Sequence, residues 1–240
     1  MTIRTADASL LIYARVAGFA YVATIILGVF SVNFVESRLI VPGNDALTVN
    51  NIMANELLFR VDITSEIIMY MLVILLSLAL YVVLKTVNKN LALLALLWRL
   101  GEAIIGGGVT VLSGLITLLL LNSEAVVETE QLQALVGLFL GICSTGLDVV
   151  LIFIGMGGTV FCYLFYKSKY VPRMLSAWGM FTYLTMLILS FVSILIPNLP
   201  ETIKMAFYVP GGLFELIFGL WLLFKGVNVE QWEKRALEST

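Results

Sequence analysis

Residues 91–108 read LALLALLWRLGEAIIGGG. Two charges, Arg99 and Glu102, stand three residues apart in a stretch that otherwise offers water almost nothing. As a helix these residues rise about 27 Å, close to the roughly 30 Å of hydrocarbon in a bilayer, so the stretch reads as most of a membrane-spanning helix. The two charges become its informative residues. A charge at the bilayer centre costs at least about 2.5–3.5 kcal/mol and is carried where it meets protein, water or a partner.

The same apolar texture extends over the whole chain. Of 240 residues, 60% are hydrophobic and 12% charged, against about a quarter charged in soluble domains. Hydropathy predicts spans at about 9–34, 61–84, 91–121, 133–166, 174–196 and 202–224. They leave no room for a soluble domain, so residues 1–240 are expected to form one all-α domain, a polytopic bundle of six transmembrane helices. The third and fourth spans exceed what a bilayer requires, and glycines at 106–108, 155, 157 and 158 offer places to bend.

Composition also excludes. A net charge of −2 and the lack of a basic, aromatic-interleaved patch argue against nucleic-acid binding. With no histidine in the chain, haem ligation, most zinc sites and His-based triads fall away. Cys143 and Cys162 lie in one apolar run, about 28 Å apart along a helix, too far for a disulfide, and read as packing residues. The first apolar run is too long for a signal-peptide core and lacks an A-x-A-type cleavage site, which makes it a retained helix.

Lysines and arginines set the orientation. Arg4, Lys85, Lys89, Lys167, Lys169, Arg173, Lys225, Lys234 and Arg235 fall on one side, and Arg38, Arg60 and Lys204 on the other, with Glu124, Glu128, Glu130 and Glu201. The positive-inside rule then places both termini in the cytoplasm, and Tyr81, Tyr163, Tyr166, Trp178 and Trp221 cluster near the same basic residues as an interfacial belt. Between the first two spans, Pro42-Gly43 marks a turn and Asn44 or Asp45 a cap for a short outer interfacial helix over about 45–58, read as a strut on the headgroups or a lid over a cavity. The polar tail NVEQWEKRALEST reads as frayed, with Trp232 as an interface anchor.

Seven ionisable residues remain in or near the spans: Arg15, Asp62, Glu66, Arg99, Glu102, Asp148 and Glu215. Counting residues from the nearest basic connection places Arg99 and Glu215 about 15 Å deep, Glu102 about 20 Å, and Glu66 and Asp148 about 28 Å, near the far rim. The expected picture is an acidic funnel opening away from the cytoplasm, with Asp62, Glu66 and Asp148 at its mouth, Glu102 below them, and Arg99 with Glu215 at its floor. The acids outnumber the deep arginines Arg15 and Arg99, so pairing alone does not neutralise them. A cation, water or a proton must do the rest. An all-oxygen set suits a hard cation such as Ca²⁺ or Mg²⁺ over zinc, although no ligand-spacing motif accompanies it, and no metal or cofactor is expected. In the last span, YVPGGLFE puts Pro210 and two glycines just before Glu215. A broken helix beside an ionisable group is a pointer to a transporter site; a simple packing kink is the plainer reading.

The stretches ARVAGFAYVATIILGVF, LIVPGNDALTVNNIMANELLFRVDI, YVVLKTVNKNLALLALLWRLGEA, FYKSKYVPRMLSAWG and ELIFGLWLLFKGV resemble a bacterial family of uncharacterised polytopic membrane proteins, domain of unknown function 4386. The resemblance implies a helical bundle in the bacterial cytoplasmic membrane, in contact with membrane lipids, and carries no catalytic residues. Three functions compete. The first is binding or transport of a small cationic or amphiphilic solute, or a proton, through the acidic cavity. The second is an enzyme acting on a lipid or isoprenoid headgroup with carboxylates as acid and base and Arg99 on the phosphate. The third is a structural or sensory module in which charge pairs only fix the packing.

Overall fold

In lipid the peptide groups have no water to bond, and a helix satisfies them within one segment. The computed structural model describes residues 2–122, 128–196 and 199–238, with the side chains of residues 2–9, 201, 236 and 238 outside the description. Among the described residues every regular element is helical. α1 (Thr2–Phe30) continues through a π-helical turn (Ser31–Glu36) into α2 (Ser37–Leu39). After a turn at Gly43 (φ 75°) follow α3 (Asp45–Ala54), α4 (Glu56–Leu84) and α5 (Lys89–Gly106), which passes through a second π-helical turn (Gly107–Val111) into α6 (Leu112–Leu121). α7 (Thr129–Ser168), α8 (Arg173–Leu195), α9 (Glu201–Phe224) and α10 (Val229–Glu238) complete the chain.

Among the described residues six stretches are long and apolar enough to cross a membrane: Leu10–Leu39, Glu56–Leu84, Lys89–Leu121, Thr129–Ser168, Arg173–Leu195 and Thr202–Phe224. Consecutive spans pack side by side, and α9 returns to α1, so the six close into a ring. Aromatic and aliphatic side chains fill its middle, including Tyr21, Leu76, Leu80, Phe161, Phe165, Tyr183, Phe214 and Phe218, all almost fully buried. The α1–α9 seam closes on glycine. A Cβ on Gly18 would stand 2.6 Å from the Gly219 carbonyl oxygen, and one on Gly219 2.7 Å from Tyr21 Cβ. Small residues let two backbones approach where lipid supplies no hydrophobic drive.

Local chemistry explains the boundaries. The Asn88 side chain accepts a bond from Leu91 N at 3.0 Å to start α5, and Asn44 does the same for α3 from Leu47 N at 2.9 Å. α7 ends at Lys169 in the left-handed region (φ 61°), and Pro172 follows before α8. At this basic end Tyr170 ties three connections together. Its hydroxyl lies 3.0 Å from that of Thr86, and its carbonyl accepts from Asn228 N at 2.9 Å. Burial raises the Tyr170 phenol above the ordinary tyrosine value, outweighing the Thr86 bond, which lowers it. Folded chain therefore holds this proton more tightly than unfolded chain. The resulting stability is complete below pH about 10 and is lost as pH rises through the folded value. Tyr170→Phe is expected to cost about 1 kcal/mol at neutral pH by removing the Thr86 bond and to flatten this part of the alkaline decline; melting curves of both proteins in micelles across pH 7 to about 11 provide the comparison.

Four expectations need correction. The outer helix stops at Ala54 because Asn55 leaves the helical region (φ −132°, ψ 39°), so Leu57 and Leu58 belong to α4. α3 is held on protein: Val41 N donates to Thr48 Oγ1 at 2.9 Å, Ile52 is buried in an apolar cluster with Val35, Leu39 and Phe59, and the Asp45 carboxylate covers Gly137 of α7. The tail is not frayed over Val229–Glu238. α10 begins where Asn228 Oδ1 accepts from Gln231 N at 3.0 Å, Trp232 packs against the main core, and Arg235 donates to the Lys167 carbonyl at 3.0 Å. α9 is continuous through Pro210-Gly211-Gly212, with Gly211 buried opposite Met186. Glycines 155, 157 and 158 do not interrupt α7 either; they are contact points for neighbouring spans, as the site makes clear. Glu124, counted above on the acidic side, lies outside the described residues.

Candidate functional site

The middle of the ring holds the charges that opened the sequence reading. Arg99 and Glu102, i and i+3 on one face of α5, are each about 4% exposed, with Arg99 Nη1 2.8 Å from Glu102 Oε2. Among the described residues neither of these two atoms makes a directed hydrogen bond, so the pair is a close charge contact with bonding capacity left over. From α9, Glu215 accepts from the Tyr183 hydroxyl of α8 at 2.6 Å. That hydroxyl lies 3.3 Å from the Tyr21 hydroxyl of α1, and Tyr21, Tyr183 and Glu215 are all within electrostatic reach of Arg99. Four spans thus deliver one guanidinium, two carboxylates and two phenols to one point. Tyr183 and Glu215 obey the same depth count as Arg99, ten residues from Arg173, Lys225 and Lys89 respectively.

Glycine makes room for this cluster. A Cβ on Gly157 of α7 would meet Arg99 Cγ at 2.7 Å, and one on Gly158 the Tyr183 ring at 2.6 Å. On Gly179 it would meet Cys162 Sγ at 2.6 Å. The glycines of α7 therefore seat the arginine stem and the tyrosine ring against the helix, which is why they pack instead of bend. Both cysteines are free.

A second group lies above the first, where the two π-helical turns face α4. Glu36 from the first turn interacts electrostatically with Asp62, and Glu66 with both. Asp62 is 8% and Ser31 6% exposed; the Ser31 hydroxyl stands beside the Asp62 carboxylate, and among the described residues Ser31 Oγ and Asp62 Oδ1 make no well-aligned hydrogen bond. A π turn inserts a residue into the helix, re-aims the side chains around it, and is frequent at functional sites. Here one turn carries Ser31 and Glu36, and the other carries Thr110, beside Glu66. The Thr110 hydroxyl donates to the Gly106 carbonyl at 2.9 Å, and the Tyr70 ring occupies the space over Gly106. Tyr70 interacts electrostatically with Glu66 above and Glu102 below. Tyr70 is thus the link between the two groups.

The structure separates two candidates from this ladder. Asp148, on α7, has its own partners: Ser193 Oγ donates to Oδ2 at 2.7 Å, the Tyr208 hydroxyl donates to Oδ1 at 3.4 Å, and Lys204 Nζ lies 3.8 Å from Oδ2. Arg15 is exposed on the outside of α1. The single funnel is therefore replaced by a ladder that runs from exposed Glu36 through Asp62, half-buried Glu66, Tyr70, Glu102 and Arg99 to half-buried Glu215, with Asp148 apart. A surface cavity of about 650 Å³ at the basic end and another of about 330 Å³ beside Arg60 and Thr64 are lined by none of the ladder carboxylates. Among the described residues no three carboxylates or thiols approach closely enough to share a metal ion.

Glu36, Tyr21, Tyr70 and Tyr183 escaped the sequence reading, and each had a signal. Tyrosines favour the interface, where the hydroxyl reaches water, so one at mid-span needs a buried partner. Glu36 belongs to SVNFVES, a polar interruption of the first span. There the side chains of Asn33 and Ser37 bond back to the helix carbonyls of Val29 and Asn33 at 2.9 and 2.6 Å.

Six apolar spans closed around a buried polar core define a polytopic α-helical membrane protein. The chain belongs to the family described as Domain of unknown function (DUF4386), whose model matches residues 16–226. No curated protein and no solved structure matches it.

Proposed function

We propose that this protein binds and relays a proton, or a small cation in its place, between its outer acidic group and its central cluster. The observation that carries the reading is a charge count. One guanidinium stands among two carboxylates at the ring's centre, in a setting where an uncompensated charge is costly. A proton or small cation supplies the missing positive charge. The ladder from Asp62 and Glu66 through Tyr70 to Glu102 is a chain of groups able to hand it on, as intramembrane carboxylates do in pumps and transporters. The setting proposed is the bacterial cytoplasmic membrane, with both termini inside, on the strength of the nine basic residues gathered at one end.

Purified protein in liposomes loaded with a pH-sensitive dye tests the proposal. Imposing an inside-negative potential is expected to acidify the lumen faster than in protein-free liposomes, and Glu102→Gln and Glu215→Gln should each abolish the excess rate. A rate equal to that of empty liposomes across Na⁺, K⁺ and pH gradients, or variants indistinguishable from wild type, would dispose of it.

One observation favours a purely structural role: Arg99 and Glu102 are paired with each other while both are almost fully buried. In that case the exchanged pair Arg99→Glu with Glu215→Arg should restore both folding and any phenotype, whereas a relay depends on which helix presents which group.

A further inference from the structure

The larger cavity has no part in the relay, and its chemistry is of opposite sign. It lies between the α7–α8 and α9–α10 connections, holds about 650 Å³, and is lined by Lys169, Arg173 and Lys225 with Trp221, Val227 and Asn228 among its other walls. Among the described residues no carboxylate lines it; Glu230 and Glu233, the nearest in sequence, stand on α10 outside it. Three exposed cations around one concavity repel each other, an arrangement that an anion relieves. The backbone adds to this. Lys169 and Gly226 both sit at positive φ, 61° and 69°, folding the two connections back, and α8 opens at Arg173 with no side chain capping its first turn, leaving amide donors at the cavity's edge.

Position selects the source of the anion. The cavity lies where three spans end, at the level of the half-buried Trp178 and Trp221, and Arg173 stacks 5.3 Å over the Tyr166 ring. Met174 and Phe224, at 86% and 73% exposed, flank it and offer apolar surface to acyl chains. We propose that this cavity binds the phosphate headgroup of an acidic phospholipid, with Lys169, Arg173 and Lys225 around the phosphate and Trp221 at the glycerol level. A direct contact between a partly exposed base and the phosphate is worth up to about fivefold in binding, so losing all three should weaken it by on the order of 100-fold.

The test is thermal stability of the full chain in phosphatidylcholine micelles titrated with phosphatidylglycerol, for wild type and Lys169→Gln/Arg173→Gln/Lys225→Gln. Wild type is expected to gain stability saturably at low acidic-lipid fractions. The triple variant should need on the order of 100-fold more. Lys85→Gln/Lys89→Gln, which removes two charges from the same end but outside the cavity, should behave as wild type. If the triple variant fails to fold, Lys225→Gln alone carries the test, with an expected loss of up to about fivefold. Equal responses from wild type and the cavity variants, or a loss in Lys85→Gln/Lys89→Gln as large as in the triple variant, would overturn the proposal. So would inorganic phosphate reproducing the full gain without acidic lipid, which would make the ligand a soluble anion.

Discussion

Arg99→Met should destabilise the protein by about 3–5 kcal/mol, the range for removing one partner of a buried ion pair. Methionine follows the aliphatic path of arginine over Gly157, so little packing is lost and the change is mainly one of charge. Glu102 and Glu215 then face each other with no guanidinium between them. Glu102→Gln is expected to be much milder, because it leaves one cation opposite one anion. Adding Glu102→Gln to Arg99→Met should recover a large part of the loss. Denaturation in lipid micelles reads all three, with a fall of on the order of 10 °C for the single arginine variant. Equal losses in Arg99→Met and Glu102→Gln would contradict the charge count.

The second large effect belongs to the α1–α9 seam. Gly18→Leu should cost about 3 kcal/mol or more and lower the yield of folded protein, because the new side chain meets the backbone of Gly219 and Leu223, which has no rotamer to yield. Gly158→Ala should cost less, as the Tyr183 ring can tilt, though at the expense of the Glu215 bond. Gly28 is the matched control. Nothing lies within 4 Å of a Cβ there, so Gly28→Ala should leave stability unchanged or raise it by about 0.5–1 kcal/mol. Thermal melts of the three variants in one lipid give the order directly.

Fold and site differ in how much of each the sequence carries. Hydropathy is a property of a segment, so the spans around Arg99, Asp148 and Glu215 were legible to within a few residues. The depth count also placed Arg99 with Glu215, because basic residues at one end provide a common origin. Rotation about the helix axis was not legible in the same way. Almost every face of these spans is apolar, so nothing in the sequence told Asp148 to turn towards Ser193 and Lys204 rather than Glu66, or Arg15 to face outward. The π turns at Ser31–Glu36 and Gly107–Val111 shift side-chain direction within a helix, and neither three glycines nor a Ser-Asn-Glu run specifies that shift uniquely. Gly157 and Gly158 have the composition of a hinge and the use of a socket, a distinction decided by the Arg99 and Tyr183 side chains that fill them.

The whole account depends on side chains from distant parts of the chain meeting at the ring's centre, and a double-mutant cycle between Arg99→Met and Glu215→Gln tests that most directly. If they share a site, their effects on stability should be non-additive by about 1–3 kcal/mol, with Glu215→Gln partly rescuing the arginine variant. Effects that add to within about 0.5 kcal/mol would mean that Arg99 and Glu215 do not meet, and the central cluster would dissolve into unrelated pairs.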